Sequence, residues 1–151
     1  MSDIYTVKDI YRRNYGSEKF FKRDYYDNLI YTEGIMDFQK TMNACWLIDL
    51  VIQYLPTVIE TTKAVDDGFF VARIKVYKNS SGYFEIYREG YAENEYKEHI
   101  TVVKQNIPFI DLPEYTYNFY LVVSDWKSFT YTLLLPSEYW RWIKNSQPTG
   151  K

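Results

Sequence analysis

The segment from Tyr31 to Pro56 constrains the fold of this chain more than any other stretch. Thr32 can cap the first turn of a helix with its hydroxyl, and Glu33 then lies at the positive end of the helix dipole. With a helical rotation of about 100° per residue, most apolar side chains of the first half fall on one side of the helix. In the second half, apolar side chains surround the helix. The segment 31–56 therefore predicts one long core helix over about 32–55, buried on most sides and ended by Pro56.

Asp49 falls in the middle of the most apolar stripe of this predicted helix. An ionised carboxylate in that position is costly unless it is paired or hydrogen-bonded. We expect Asp49 to be a buried structural acid, bonded to backbone amides, a tyrosine hydroxyl or an arginine, that fixes how the helix docks. The alternative is an acid/base or ligand-binding carboxylate in a cleft. Cys45, one turn earlier, is expected to be a small buried hydrophobic residue.

The periodicity changes from helical to alternating after Gly68, which marks the start of a sheet. Five segments alternate in this way, and the turn Asn79–Gly82 connects the first two as a hairpin. The predicted strands are 69–78, 83–88, 98–105, 117–124 and 131–135. The sequence thus predicts an α+β fold, with an antiparallel sheet of about five strands packed on one long central helix and short N- and C-terminal helices.

The length and composition of the chain fit a single domain over residues 1–151. Its 151 residues are 46% hydrophobic, which is enough to bury a substantial core. The expected parts are an N-terminal arm with short helices (1–30), the core helix (31–56), the antiparallel sheet (69–135) and a C-terminal helix (136–146).

The low net charge and the single copies of cysteine and histidine exclude several classes of site. A formal net charge of −2 gives no general attraction to nucleic acid or to an anionic membrane. One cysteine and one histidine cannot form a disulfide framework or a Cys/His zinc site, and no cofactor is predicted. The N-terminus lacks the apolar core of a signal peptide, and no apolar run is long enough to span a membrane. We therefore expect a protein of a reducing cytoplasm without membrane contact.

The N-terminal arm interleaves basic with aromatic residues, a mixture that stacks on bases and contacts phosphates. The candidate binding residues of the arm are Arg12, Arg13, Lys19, Phe20, Phe21, Lys22 and Arg23. Carboxylates in the same arm, among them Asp9, Asp24 and Asp27, nearly cancel its positive charge. A solvated face around half-buried aromatic rings is therefore the favoured interpretation, and nucleic-acid binding is the alternative.

Two further features suit an interaction with another protein. The predicted acidic loop Glu89–Glu98, with Glu93 and Glu95 as candidate residues, can imitate the charge of a nucleic acid toward a basic partner. Tyrosine is unusually frequent, with 17 copies in the chain. Its ring and hydroxyl suit half-buried strand positions, which is the favoured explanation, and they also suit a binding surface.

No motif in the sequence indicates a known type of catalytic site. Glycine-rich phosphate loops, nucleophile elbows and helical metal-binding pairs are missing. His99 is the only histidine, and a lone histidine beside a strand is usually exposed or ordinarily hydrogen-bonded. A small enzyme that uses Asp49 with a tyrosine or with His99 is an alternative, provided that Asp49 lies in an open cleft.

Four short motifs follow one another along the chain. They are Gly16-Ser17-Glu18 with Phe20-Phe21-Lys22, Tyr31-Thr32-Glu33-Gly34, Trp46-Leu47-Ile48-Asp49, and Leu134-Leu135-Pro136-Ser137-Glu138-Tyr139. Together they resemble an uncharacterised family from bacteria, phages and plasmids, the domain of unknown function 6876. Arg23 stands where relatives are expected to carry a histidine, and the middle strands here hold more tyrosine. The resemblance implies no activity, cofactor or catalytic residue, but it does imply an origin in a phage or mobile element.

These observations lead to three hypotheses about function. The leading one is a non-enzymatic protein-binding module, a phage or mobile-element factor that inhibits a host defence complex in the cytoplasm of a bacterium. The second is a nucleic-acid-binding accessory protein that uses the basic and aromatic arm from Arg12 to Arg23. The third is the small enzyme built on Asp49. A homodimer is also compatible with the sequence.

Overall fold

The computed structural model describes residues 4–16, 18–91 and 97–139, and within them it shows the α+β class that the sequence predicts. The helices are α1 (Ile4–Arg13), α2 (Glu33–Thr41) and α3 (Trp46–Val65), and a 3-10 turn occurs at Pro136–Glu138. None of these described helices is long and apolar enough to cross a membrane. The strands are β1 (Phe20–Phe21), β2 (Leu29–Thr32), β3 (Phe69–Val76), β4 (Gly82–Tyr91), β5 (Lys97–Ile107), β6 (Tyr115–Asp125) and β7 (Thr130–Leu134).

The described strands form one mixed sheet in the order β1-β2-β7-β6-β3-β4-β5. Neighbouring strands are antiparallel except β2 and β7, which run parallel. The strands expected between residues 69 and 135 are present, but the expectation of a purely antiparallel, five-stranded sheet is wrong. Two strands of the N-terminal arm extend the sheet, and they escape detection because segments of two and four residues are too short to show alternation.

The predicted core helix over 32–55 is wrong, because the chain forms α2 and α3 in its place. The start is as expected, since Thr32 Oγ1 accepts a hydrogen bond of 3.3 Å from an amide in the first turn of α2. The predicted end at Pro56 is also wrong, because α3 continues through this proline. The proline removes one backbone hydrogen bond, and burial of Val58 and Thr62 beyond it compensates for that loss.

The break between the two helices centres on Asn43, whose φ of 54° lies in the left-handed region. Glycine and asparagine tolerate this conformation best, which is why they often end helices. The Ala44 amide donates to the Gln39 carbonyl at 2.8 Å and closes α2 in the manner of a Schellman motif. The apolar pattern continues from α2 into α3, so the helical periodicity of the sequence gives no sign of the break.

The break changes the side of α3 that faces the core, and the expected burial of Asp49 is therefore wrong. Asp49 lies in the first turn of α3 with 59% of its side chain exposed. Its neighbours Ile48 and Val51 are buried instead. A continuous helix would place Asp49 with the apolar side chains of α2, whereas the left-handed residue before α3 resets the helical phase. The expected burial of Cys45 is wrong for the same reason, since Cys45 is exposed.

The core lies between the described helices and one face of the sheet, which we call the inner face. The helices contribute fully buried apolar side chains such as Val7 in α1 and Phe38 in α2. On the sheet, inner-face residues of β3 pair with inner-face residues of β4 and β6, so that Ile74 lies between Phe84 and Tyr117. Because side chains alternate along a strand, the polar residues of these strands meet on the opposite side, which we call the outer face.

The C-terminal helix expected over 136–146 lies mostly outside the described residues, and the 3-10 turn is what is described of it. Glu138 in this turn is buried and accepts hydrogen bonds from the Thr32 hydroxyl at 2.6 Å and the Leu135 amide at 2.9 Å. A third hydrogen bond, 3.2 Å long, comes from the Gly34 amide. The carboxylate thus joins the segment after β7 to the start of α2.

Candidate functional site

The outer face carries a cluster of polar side chains from four adjacent strands. Cross-strand pairing places Arg73 of β3 between Asn118 of β6 and Glu85 of β4, and Glu85 lies opposite Lys104 of β5. These residues form a row across the sheet, and opposed side chains of such a row interact. The outer-face cluster, as we call it, comprises Arg73, Glu85, Tyr87, His99, Thr101, Lys104 and Asn118.

Glu85 is the buried acid of the outer-face cluster, with only 5% of its side chain exposed. Its Oε2 atom accepts a hydrogen bond from Thr101 Oγ1 at 2.5 Å and lies 2.7 Å from His99 Nε2. Burial raises the pKa of the Glu85 carboxyl, but the bonds to His99 and Thr101 and the nearby charges of His99 and Arg73 together outweigh burial, so that the pKa is lowered overall. Glu85 is therefore held as a carboxylate, and it fixes the orientation of the imidazole.

A β-bulge in β5 places both partners of this carboxylate on the outer face. The pairing register shifts between Ile86 and Tyr87 of β4, so that Val102 is an extra residue in β5. In a regular strand Thr101 and His99 would alternate onto the inner face. Bulges re-aim side chains in this way and are over-represented beside functional sites.

Tyr87 contacts both a cation and the imidazole ring of the cluster. The rings of Tyr87 and His99 are stacked, with centroids 3.9 Å apart. The Arg73 guanidinium lies 4.8 Å from the centroid of the Tyr87 ring, and its Nη2 donates to the Tyr87 hydroxyl at 2.9 Å. Arg73 Nε also donates to Asn118 Oδ1 at 3.0 Å. These contacts cover the tyrosine ring and fix Arg73 in position.

A second row of the outer face repeats this arrangement with lysines. Lys75 of β3 pairs with Tyr83 of β4 and with Thr116 of β6. Lys75 Nζ donates to Thr116 Oγ1 at 2.9 Å, and Lys104 Nζ lies 4.4 Å from the centroid of the Tyr83 ring. Arg73, Lys75 and Lys104 therefore each have a defined partner on the sheet.

The outer-face cluster contains a carboxylate–histidine pair of the kind found in catalytic sites, but among the described residues it lacks the contact that would complete such a site. A carboxylate that orients a histidine is common in general bases, and a nucleophile activated by such a base is hydrogen-bonded to it. Among the described residues no hydroxyl or thiol bonds to His99, and the Thr101 hydroxyl is turned to Glu85 instead. The described part of the chain also contains no group of three or more His, Cys, Asp or Glu residues that could hold a metal ion.

The cations of the N-terminal arm are largely paired with carboxylates of the same chain. Arg13 makes two bonds of 2.6 Å to Asp37, through Nε and Nη2. The other pairs are Arg12 with Asp9 at 3.7 Å, Lys22 with Asp27 at 2.5 Å and Arg23 with Asp49 at 3.5 Å. Phe20 and Phe21 form β1, and Lys19 directly precedes them. This pairing reduces the positive charge that the arm can offer to phosphate groups.

Two residues singled out separately in the sequence, Arg23 and Asp49, lie together at the start of α3. Asp49 Oδ1 also accepts a hydrogen bond of 2.7 Å from the Tyr25 hydroxyl, and this bond raises the pKa of Tyr25. Arg23 Nη2 donates to the Cys45 carbonyl at 2.9 Å. The expected partners of Asp49 are therefore present although the acid is exposed. His99 lies on the outer face, so the sheet separates it from Asp49 and the two do not form one site.

The sequence singles out His99, as the only histidine, but not its partner Glu85. The alternation of Phe84 and Ile86 onto the inner face places Glu85 on the outer face, and this pattern is the signal that the sequence offers. The bulge that brings the histidine to the same face shows in the sequence only as the adjacent apolar pair Val102-Val103, where the alternation slips by one residue. The predicted acidic candidates Glu93 and Glu95 lie outside the described residues.

Comparison with curated proteins finds no match, and comparison with solved structures finds none either. A family model does match, over residues 6–139. This range includes every helix and strand described above apart from the first two residues of α1, and it includes the whole outer-face cluster. The chain therefore belongs to the family of unknown function DUF6876.

Proposed function

We propose that this chain is a non-enzymatic protein-binding module that presents the outer face of its sheet to an acidic surface of a partner protein. The observation that carries the proposal is the set of cations fixed on that face. Arg73, Lys75 and Lys104 are each held by a polar side chain or an aromatic ring of the sheet. Side chains that are already ordered lose little entropy on meeting a carboxylate, so such a face is preorganised for binding.

The charge balance of the outer face supports an acidic partner. The chain as a whole has a formal net charge of −2. On the outer face, however, Glu85 is buried and bonded to His99, whereas Lys104 is exposed. The exposed acid Glu89 lies opposite His99 and four residues along β4 from Glu85, the cross-strand partner of Arg73, so it leaves Arg73, Lys75 and Lys104 in excess on this face. Complementary charge speeds encounter with a partner and fixes its orientation.

The geometry of the tyrosines favours a protein partner over single-stranded nucleic acid. Bases bind to sheet platforms by stacking on exposed aromatic rings. The Tyr87 ring is stacked on His99, and Arg73 and Lys104 lie over the rings of Tyr87 and Tyr83. These rings are therefore covered, while a carboxylate-bearing protein surface needs only the cations. In the N-terminal arm, the alternative surface for nucleic acid, ion pairs with the chain's own carboxylates reduce the available charge.

For the identity of the partner we propose a component of a bacterial defence complex, inhibited by this chain as a phage or mobile-element factor. The resemblance to a family from bacteria, phages and plasmids supports this choice. The outer face adds a chemical requirement, namely that the surface of the partner is acidic.

Affinity purification from a bacterial lysate tests the proposal. A variant with Lys75→Gln and Lys104→Gln removes two positive charges and shortens each side chain by only one atom. We expect the unmodified chain to retain a protein that dissociates as salt rises, and we expect the variant to lose it. Failure of the unmodified chain to retain any protein, or retention of nucleic acid alone, would contradict the proposal.

A matched control makes the same charge change away from the outer face. Lys63→Gln in α3 with Lys127→Gln in the turn between β6 and β7 replaces two exposed lysines. This control should keep the partner, and melting curves of both variants show whether they fold. Equal loss of the partner from both variants would mean that overall charge, and not the outer face, governs binding.

A further inference from the structure

A groove of about 610 Å³ lies where three reversals of the chain meet. The break between α2 and α3 supplies Met42, the turn between β3 and β4 supplies Ser80, and the connection between β5 and β6 supplies Ile110. Its volume falls within the range of small-ligand sites, about 300–1,000 Å³. The residues that line the groove are all different from those of the outer-face cluster.

Hydrogen bonds join the walls of the groove to one another and to the sheet. The Ile110 amide donates to the Ser80 carbonyl at 2.7 Å and ties the β5–β6 connection to the β3–β4 turn. Within that turn the Ser80 amide donates to the Tyr77 carbonyl at 2.9 Å. The Tyr117 hydroxyl donates to the Pro113 carbonyl at 2.7 Å and anchors the far end of the connection. The chain's own hydrogen bonds therefore fix the walls of the groove, which reduces the free-energy cost of binding.

The groove combines an apolar floor with exposed aromatic side chains. Met42, Ile110 and Leu112 line it and are buried. Phe109 is 61% exposed and Tyr77 is 46% exposed, and both also line the groove. Exposed aromatic side chains beside a concave apolar surface are typical of ligand-binding sites.

The charged side chains that line the groove have an excess of negative charge. Asp111 and Glu114 come from the β5–β6 connection and are exposed. Lys78 is the positively charged residue that lines the groove. Two carboxylates therefore oppose one ammonium beside two aromatic rings. A ligand cation gains from this arrangement in two ways, through Coulomb attraction to the carboxylates and through the quadrupole of the rings.

We propose that the groove binds a small amphipathic cation, that is, an aromatic or aliphatic body carrying an ammonium or amidinium group. The apolar body packs on the floor between Tyr77 and Phe109. The charged group reaches the carboxylates of Asp111 and Glu114. An anion of the same shape gains the apolar contacts but is repelled by the carboxylates. The proposal that the groove binds a cation does not rest on the proposal that the outer face binds a protein.

Titration with phenethylamine, followed by the methyl signals of Met42, Ile110 and Leu112 in proton–carbon NMR spectra, tests the proposal. Phenylpropionate, which has a similar apolar body and a carboxylate in place of the ammonium, is the control ligand. We expect phenethylamine to shift these signals to saturation and phenylpropionate to bind at least roughly fivefold more weakly. Equal binding of the two ligands, or no shift with phenethylamine, overturns the proposal.

Variants of the charged side chains identify the part of the groove that selects the cation. Asp111→Asn with Glu114→Gln should weaken phenethylamine binding roughly fivefold while the methyl spectrum of the unliganded protein stays that of a folded chain. The matched control Asp9→Asn with Glu60→Gln removes two exposed carboxylates from α1 and α3 and should bind as the unmodified chain does. Equal weakening in both double variants also overturns the proposal.

Discussion

Asp37 in α2 collects hydrogen bonds from α1 and from its own helix. Arg13 donates to it twice at 2.6 Å, Asn14 Nδ2 donates at 2.7 Å, and Thr41 Oγ1 donates at 2.8 Å. The bond from Arg13, more than any other contact, lowers the pKa of the Asp37 carboxyl. Because its pKa is lowered in the folded protein, ionised Asp37 stabilises the fold at neutral pH.

We predict that Asp37→Asn lowers the free energy of unfolding by about 1 kcal/mol at neutral pH. The difference should be fully present above the ordinary carboxyl pKa of about 4, and it should be lost as the pH falls through the lower pKa of folded Asp37. Urea unfolding of the unmodified chain and of Asp37→Asn, at neutral pH and at about pH 2, measures this difference in free energy of unfolding. Asp9→Asn, which removes only the exposed pair with Arg12, is the control. A difference that is the same at both pH values would contradict this role.

For single residues, the sequence predicts the bonding partners of a side chain more reliably than it predicts whether the side chain is buried. Asp49 has the arginine and tyrosine partners expected of it, yet it is exposed. Partner types follow from charge and hydrogen-bonding capacity, which each residue carries with it. Burial depends on the phase of the helix at that point, and the left-handed Asn43 changes the phase of all residues after it.

Among the elements, the break between α2 and α3 decides which residues the helices present to the sheet. Asn43 adopts a φ of 54° at this break. In the left-handed region a Cβ atom costs roughly 1 kcal/mol that glycine avoids. In the interior of a continuous helix the ranking of the two residues is the opposite, because alanine is there more stabilising than glycine by about 1 kcal/mol.

We therefore predict that Asn43→Gly keeps or raises the thermal midpoint of unfolding, whereas Asn43→Ala lowers it. Thermal unfolding followed by circular dichroism ranks the two variants directly. The comparison needs no further control, because the two substitutions differ by one methyl group at one exposed position. A higher midpoint for the alanine variant would show that residues 33–65 form one continuous helix.

Long strands are predictable from this sequence, whereas its short strands are not. β3 to β7 all begin within two residues of the expected positions, because five or more residues show the alternation of apolar and polar side chains. β1 and β2 contain two and four residues, too few for any period to be read. Their place in the sheet is set by pairing with a strand late in the chain, which no local pattern reveals.

At the scale of the whole molecule, Glu138 connects two parts of the chain that are far apart in sequence. Its buried carboxylate meets Thr32 and Gly34 at the start of α2. Glycine at position 34 leaves room for it, since a Cβ atom there would overlap with the carboxylate. Burial raises the pKa of Glu138, and hydrogen bonds from Thr32 and from the backbone offset only part of that effect.

We predict that Glu138→Ala lowers the free energy of unfolding by about 1–3 kcal/mol, because buried donors lose their acceptor. Glu138→Gln should cost less, since its carbonyl oxygen keeps one acceptor position. The effect of pH has the opposite sign to that of Asp37. Because the pKa of Glu138 is raised by folding, the unmodified chain should lose stability relative to Glu138→Gln as the pH rises from about 4 through the folded pKa. Urea unfolding over this range measures both effects, and parallel stability curves would argue against a buried carboxylate.

The outer-face cluster exists only in the assembled sheet, which is why the sequence does not reveal it. Its members come from β3, β4, β5 and β6, and the residue pattern of each strand shows only that they share the polar side. Which of them meet depends on the register between strands. For His99 and Glu85 it depends on the single extra residue Val102 in β5.

The parallel pairing of β2 with β7 has a consequence for the order in which the chain folds during synthesis. Leu29 pairs with Tyr131, and β1 joins the sheet only through β2. β3, β4 and β5 are consecutive antiparallel strands and can pair as soon as they leave the ribosome. β1 and β2 emerge earlier but have no strand to pair with beyond each other until β7 is complete. The first strands to be made are therefore among the last to enter the sheet.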